Sequence, residues 1–242
     1  MWSRTSGSDV ESGEKPLLSN MILEGSEIRW AFIRKVYSIV LFQLLATAAV
    51  SAVVVFVRPV SAFFVGTTAG LAVYVALIAS VFLVLFPMYY FRKRHPINYL
   101  LLGIFTICLS FSIGLTCAFT SGRIILEAVI LTALVVLSLT LYTFWAAKRG
   151  HDFSFLGPFL SSALTVLIIF GIIQIFFPFD KISVMIYGFL SAIVFCGYIV
   201  FDTDNLIKRY SYDEYIWASV SLYLDIVNLF LSFISIFGAS ER

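Results

Sequence analysis

Residues 216–238 read IWASVSLYLDIVNLFLSFISIFG, and this stretch decides the fold. It holds one charge, Asp225, among 23 residues, and no glycine or proline before its last position. As a helix it would extend about 35 Å, enough to cross the roughly 30 Å of hydrocarbon in a bilayer. Working outward, six more windows of similar apolar length precede it, at 36–57, 67–90, 98–119, 124–147, 155–177 and 183–201. They are separated by Arg58-Pro59, a basic cluster at 92–95 followed by Pro96, Ser121-Gly122-Arg123, and polar stretches at 148–152, 178–181 and 202–214. The sixth helix is expected to run on past Asp202, because residues 202–209 contain no glycine or proline to stop it. The fold class that follows is all-α, a polytopic membrane bundle of seven transmembrane helices over residues 26–242.

Composition agrees. Of the 242 residues, 61% are hydrophobic and 12% charged, with a mean hydropathy of +1.00, whereas a soluble domain carries about a quarter charged residues. A water-soluble fold is excluded. The net charge of +2 gives no reason to expect a nucleic-acid partner, and the basic residues fall in short clusters between apolar windows, where membrane topology accounts for them. Residues 1–20 are polar and lack the apolar core of a signal peptide, so residues 1–25 are expected to form a disordered cytosolic tail. Cys108, Cys117 and Cys196 lie inside apolar windows and read as packing residues. His95 and His151 sit in loops at unrelated spacing. With no phosphate-binding loop, dinucleotide fingerprint or Ser/His pairing in the sequence, neither an enzyme nor a bound cofactor is expected.

Lysine and arginine set the orientation. Twelve lie in the N-terminal segment and the even-numbered loops and four on the other side, which places the N-terminus in the cytosol. Before the first window, Ser26-Glu27 followed by IRWAFIRKVYSIV looks like a capped helix start, with Arg29, Trp30, Arg34 and Lys35 suited to the headgroup region.

Among single residues Asp225 stands out. An aspartate at the centre of a membrane helix costs about 2.5–3.5 kcal/mol on insertion scales, so it is expected to face a partner or water rather than lipid. Its other reading is a hydrogen-bonding residue of the bundle. Asp202 is the second carboxylate, at the inner end of the sixth helix. Counted from a turn near Ser211, it lies about 13 Å and Asp225 about 21 Å along their helices, with the geometry of the turn left open. Two carboxylates brought together in low dielectric cannot both ionise cheaply and titrate as a unit, which makes them a proton-sensitive latch or a calcium site with oxygen ligands. Asp204 points about 200° round the helix from Asp202 and reads as a solvated helix-end charge or a secondary site residue. Arg92, the first basic residue after the second window, is placed to pair with the carboxylates; Lys93 and Arg94 compete for that role, and all three also read as membrane anchors. Glu127, one turn after Arg123, reads as its i,i+4 partner or as the lining of a vestibule.

EIRWAFIRKVYSIV before the first window, ILEAV opening the fourth, FDTDNLIKRY ending the sixth and SLYLDIVNLF in the seventh resemble the Bax-inhibitor-one (TMBIM) family, and within it the plant-like members of the Lifeguard branch. The resemblance covers roughly residues 27–238. It implies a central seventh helix wrapped by two layers of three, a calcium-leak channel of intracellular membranes (endoplasmic reticulum, Golgi or vacuole), and suppression of cell death. It also implies that Asp202 and Asp225 form a di-aspartyl pH sensor to which Arg92 latches, with the lipid bilayer, calcium, protons and cell-death regulatory proteins as partners. A second class of function stays open, a membrane interaction protein that acts through its tail and loops. A proton-coupled cation antiporter is a variant of the first, but the sequence offers no inverted repeat to support it.

Overall fold

The computed structural model describes residues 8–91, 94, 96–177 and 180–241; side chains are described from Gly25 and Glu27 onward, apart from residues 58, 60, 61, 65, 71 and 175. Every regular element among the described residues is helical. α1 runs Ser8–Phe56, and its membrane-length part is Glu27–Phe56. The backbone of residues 8–25 thus continues the first helix where the sequence suggests a disordered tail. A short α2, Arg58–Gly66, occupies what reads as a loop. It starts with proline in its first turn, where the missing N–H costs nothing.

The remaining spans are α3 (Thr68–Tyr90), α4 (Ile97–Ala118), α5 (Gly122–Lys148), α6 (Leu156–Phe176), α7 (Lys181–Lys208) and α8 (Tyr215–Glu241), the last entered through a single 3-10 turn, Tyr212–Glu214. Local chemistry sets the boundaries. Thr67 Oγ1 accepts from Gly70 N at 2.9 Å to start α3, and Ser121 Oγ caps α5. Ser211 and Glu214 form a reciprocal capping box over the turn before α8. As expected, α7 continues past Asp202, ending at Lys208.

Seven of these helices are long and apolar enough to cross a membrane, and the chain is a seven-helix membrane bundle. Their outer surface carries Phe42, Phe86, Leu141 and Phe176, all largely exposed, as lipid contact requires. α8 is the most buried of the seven. It packs most extensively on α7 and also on α1, α4 and α5. α3 lies behind α4 and α6 behind α7, so the helices group as α1, α3, α4 and α5, α6, α7 about the last one.

Small residues allow the closest approaches. A Cβ on Gly188 of α7 would stand 2.8 Å from Ile236 and 3.2 Å from the Ser232 carbonyl of α8. One on Gly114 of α4 would meet the Ser51 backbone and Val54 of α1 at 3.0 Å. A polar seam joins α1, α4 and α8: Gln43 Nε2 donates to Thr106 Oγ1 (3.1 Å), Ser110 bonds Thr47 (3.0 Å), and Thr47 bonds the Tyr223 hydroxyl (2.7 Å). Such bonds fix the register of helices whose other contacts are apolar.

The described residues after α3 (91, 94 and 96) and the connections 149–155 and 209–214 gather with the start of the apolar part of α1 at one end, here called the basic face. Arg29 Nη1 donates to the Tyr210 carbonyl at 2.7 Å, Lys35 sits over the Tyr215 ring, and Tyr89 of α3 meets Trp217 of α8. The distal face holds 57–67, 119–121, residues 177 and 180, and the end of α8, where Ser121 bonds Glu241 at 3.3 Å.

Candidate functional site

Near the basic face α7 and α8 lie side by side, joined by the short link through Tyr210. Their packed faces bring Asp202 and Asp225 together, and the two carboxyl groups interact directly. The unequal distances along the two helices, read from the sequence, are absorbed by the link and the 3-10 turn. Asp225 is almost wholly buried, and its Oδ2 has no hydrogen-bond partner. Asp202 is partly exposed and has the Asn205 side chain beside it, one turn along α7. Ionised carboxylates only accept hydrogen bonds, so this contact attracts when the pair holds a proton and repels when it holds none.

Two tyrosines flank the pair. Tyr198, one turn before Asp202, lies beside both carboxyls. Tyr210, in the link, faces both and lies beside Ser221. Burial, and then the neighbouring Asp202, pushes the Tyr210 phenol far above its usual range, so it remains a neutral donor. Residues 198, 202, 205 and 209 form one face of α7 at spacings of four, three and four, so the periodicity that places Asp202 also points to Tyr198 and Asn205.

Asp204 is not a solvated charge. It is fully buried, its Oδ2 accepts from Phe153 N at 3.2 Å, and its Oδ1 meets Lys208 Nζ at 2.5 Å. Lys208 also donates to the His151 carbonyl. Arg209 donates to Asp152 Oδ1 (2.7 Å) and Asn205 Oδ1 (2.8 Å). The α5–α6 connection folds over the end of α7 and covers Asp204, a long-range event that the local pattern FDTDN does not reveal. Through Asn205 this strap touches the carboxyl pair, so the chain of polar contacts runs Asp225, Asp202, Asn205, Arg209, Asp152.

Arg92, Lys93 and His95 lie outside the described residues, so the predicted latch has no geometry here. Arg94 rests on the Phe91 ring. Among the described residues neither member of the pair forms an ion pair with a basic side chain. Glu127 is far from the pair, on the distal side, where it bonds Arg123 at 2.8 Å with both side chains exposed, the i,i+4 arrangement that its spacing suggests. No group of three or more His, Cys, Asp or Glu among the described residues is arranged to hold a metal. Two carboxyls and an amide are a partial donor set for calcium, which takes six to eight oxygens, so a passing ion would keep most of its water.

The family model described as inhibitor of apoptosis-promoting Bax1 matches residues 29–242, all of the membrane domain. The chain belongs to this family. Within it the similarity is to the Lifeguard branch: Protein LIFEGUARD 4 of Arabidopsis thaliana is 67% identical over 231 residues, covering 96% of this chain and 93% of the relative. Protein LIFEGUARD 2 of the same plant is 64% identical over the full length of both. A more distant relative, the Golgi anti-apoptotic protein of Vaccinia virus (strain Lister), is 36% identical over 218 residues, 89% of this chain and 88% of its own.

Proposed function

We propose that this Lifeguard-branch protein is a pH-sensitive calcium leak of an intracellular membrane, with its N-terminus cytosolic, and that it restrains cell death by that leak. The observation that carries the reading is the contact between Asp202 and Asp225 inside the bundle. Cell-death suppression comes from the family and from the viral relative's name; that name also favours the Golgi among the candidate compartments.

The proposed mechanism follows from the proton count. With one proton the pair is joined by a charge-assisted hydrogen bond, which ties the basic-face ends of α7 and α8 together. Without it, two anions face each other in low dielectric and drive the helices apart. With two protons, the charge that would hold Arg92 disappears. Opening at the pair exposes carboxylate oxygens to a hydrated calcium ion.

The test is calcium efflux from liposomes holding the purified protein, measured across pH about 5–8 for the parent, Asp202→Asn and Asp225→Asn. Flux that varies with pH in the parent and not in the variants supports the reading. Folded protein that passes no calcium at any of these pH values overturns it.

A further inference from the structure

A cavity of about 250 Å³ lies between α6, α7 and α8, lined by Leu167, Tyr187, Ser191, Asn228, Ser232 and Ser235 among others. Asn228 is thirteen residues from either end of α8, about 20 Å along the axis, and so at the middle of the bilayer. Its side chain makes one hydrogen bond, Nδ2 to the Leu224 carbonyl. The amide oxygen and the second amide hydrogen have no partner among the described residues. Ser191 and Ser232 bond each other at 2.7 Å, and Ser232 and Ser235 bond the carbonyls of Asn228 and Leu231 one turn back. Their remaining lone pairs are left to the cavity.

A half-satisfied amide is unfavourable in hydrocarbon, and intramembrane polar groups persist where they meet one another or water. The cavity has room for several waters, each of which needs about 30 Å³ and two to four polar partners. We infer that this cavity, in the distal half of the bundle, is a water-filled vestibule taking hydrated cations, rather than a slot for a lipid chain. Its inner end lies next to the carboxyl pair. Asn228 is one turn beyond Asp225 on α8, and on α7 the Phe195 ring, which lines the cavity, packs 6.1 Å from the Tyr198 ring beside both aspartates. These two rings separate the vestibule from the pair. The vestibule's role in conduction rests on the channel reading, but its hydration does not.

The experiment uses the full-length protein in lipid vesicles with Cys108, Cys117 and Cys196 replaced by alanine. Single cysteines are then introduced as Ser232→Cys, Ser235→Cys and, on the lipid-facing surface, Ile193→Cys. The probe is a membrane-impermeant methanethiosulfonate bearing a fixed positive charge. The inference expects Ser232→Cys and Ser235→Cys to be labelled and Ile193→Cys to be spared. If the charged probe labels neither serine position while a membrane-permeant maleimide labels them, the space admits no cation and the inference is overturned. If neither reagent labels them in folded protein, the space is closed and the inference is equally overturned. Labelling without calcium efflux would keep the vestibule and remove the channel. Efflux with an unlabelled cavity would do the reverse.

Discussion

Asparagine matches aspartic acid in shape and cannot ionise, which makes it a probe of the proton that the carboxyl pair shares. In Asp225→Asn the amide can donate permanently to Asp202, so calcium flux is expected to become independent of pH; a pH profile unchanged from the parent would remove the pair from the sensor. Asp204 calls for a different prediction. Asp204→Ala deletes the acceptor of the Phe153 N–H, and leaving such a group unpaired costs about 1–3 kcal/mol. A lower thermal midpoint in detergent is expected, with a much smaller effect for Asp213→Ala in the exposed turn. Charge inside an apolar run made Asp225 and Asp202 legible in the sequence. The burial of Asp204 was not, because Phe153 reaches it from a connection about fifty residues earlier.

At the scale of elements, the strap formed by residues 149–155 over the end of α7 responds to acid. The Asp152 carboxyl is held below the usual carboxylate range, first by the Ser154 backbone N–H and then by its hydroxyl. A lowered value means the stabilisation is present above the unfolded carboxylate's range and disappears as pH falls through the folded one. Exchange at the Ser154 amide, which donates to Asp152, is therefore expected to be slow near neutrality and to speed up, relative to other loop amides, in acid. Since Asp152 and Arg209 are exposed, their coupling in a double-mutant cycle should be small and should fall further with added salt. Between α1 and α4, Gly114→Ala gains about 1 kcal/mol of helix propensity and meets backbone at 3.0 Å, which costs about 1–3 kcal/mol. A net loss of stability is expected, and a raised thermal midpoint would refute the close approach. The seven spans were readable from apolar length, and the extension of α7 from the lack of a breaker. α2 was not, since nine residues beginning at Arg58-Pro59 are too few for the apolar-length signal.

For the whole molecule, an odd number of spans puts the two ends of the chain on opposite faces. With the basic face in the cytosol, a protease added to sealed vesicles that expose that face is expected to remove an N-terminal tag and to spare a C-terminal one. Cleavage of both tags would reveal a re-entrant segment. That α8 is the central helix could not be read from hydropathy, because its window is less apolar than several that face lipid. Its polar residues signal burial only once the neighbours that bond them are known.

The position of α8 bears on biosynthesis. A ribosome delivers the chain from its N-terminus, so the helix on which the others pack is the last to leave it. Until then Thr47 and Ser110 await Tyr223, and Gly188 faces no Ser232 or Ile236. Six inserted helices therefore form an incomplete ring with its polar seam uncovered, and final assembly must wait for α8. A stop codon anywhere before α8 removes the core and not merely the end, so such truncations should be degraded as unassembled intermediates rather than persist as weakened proteins.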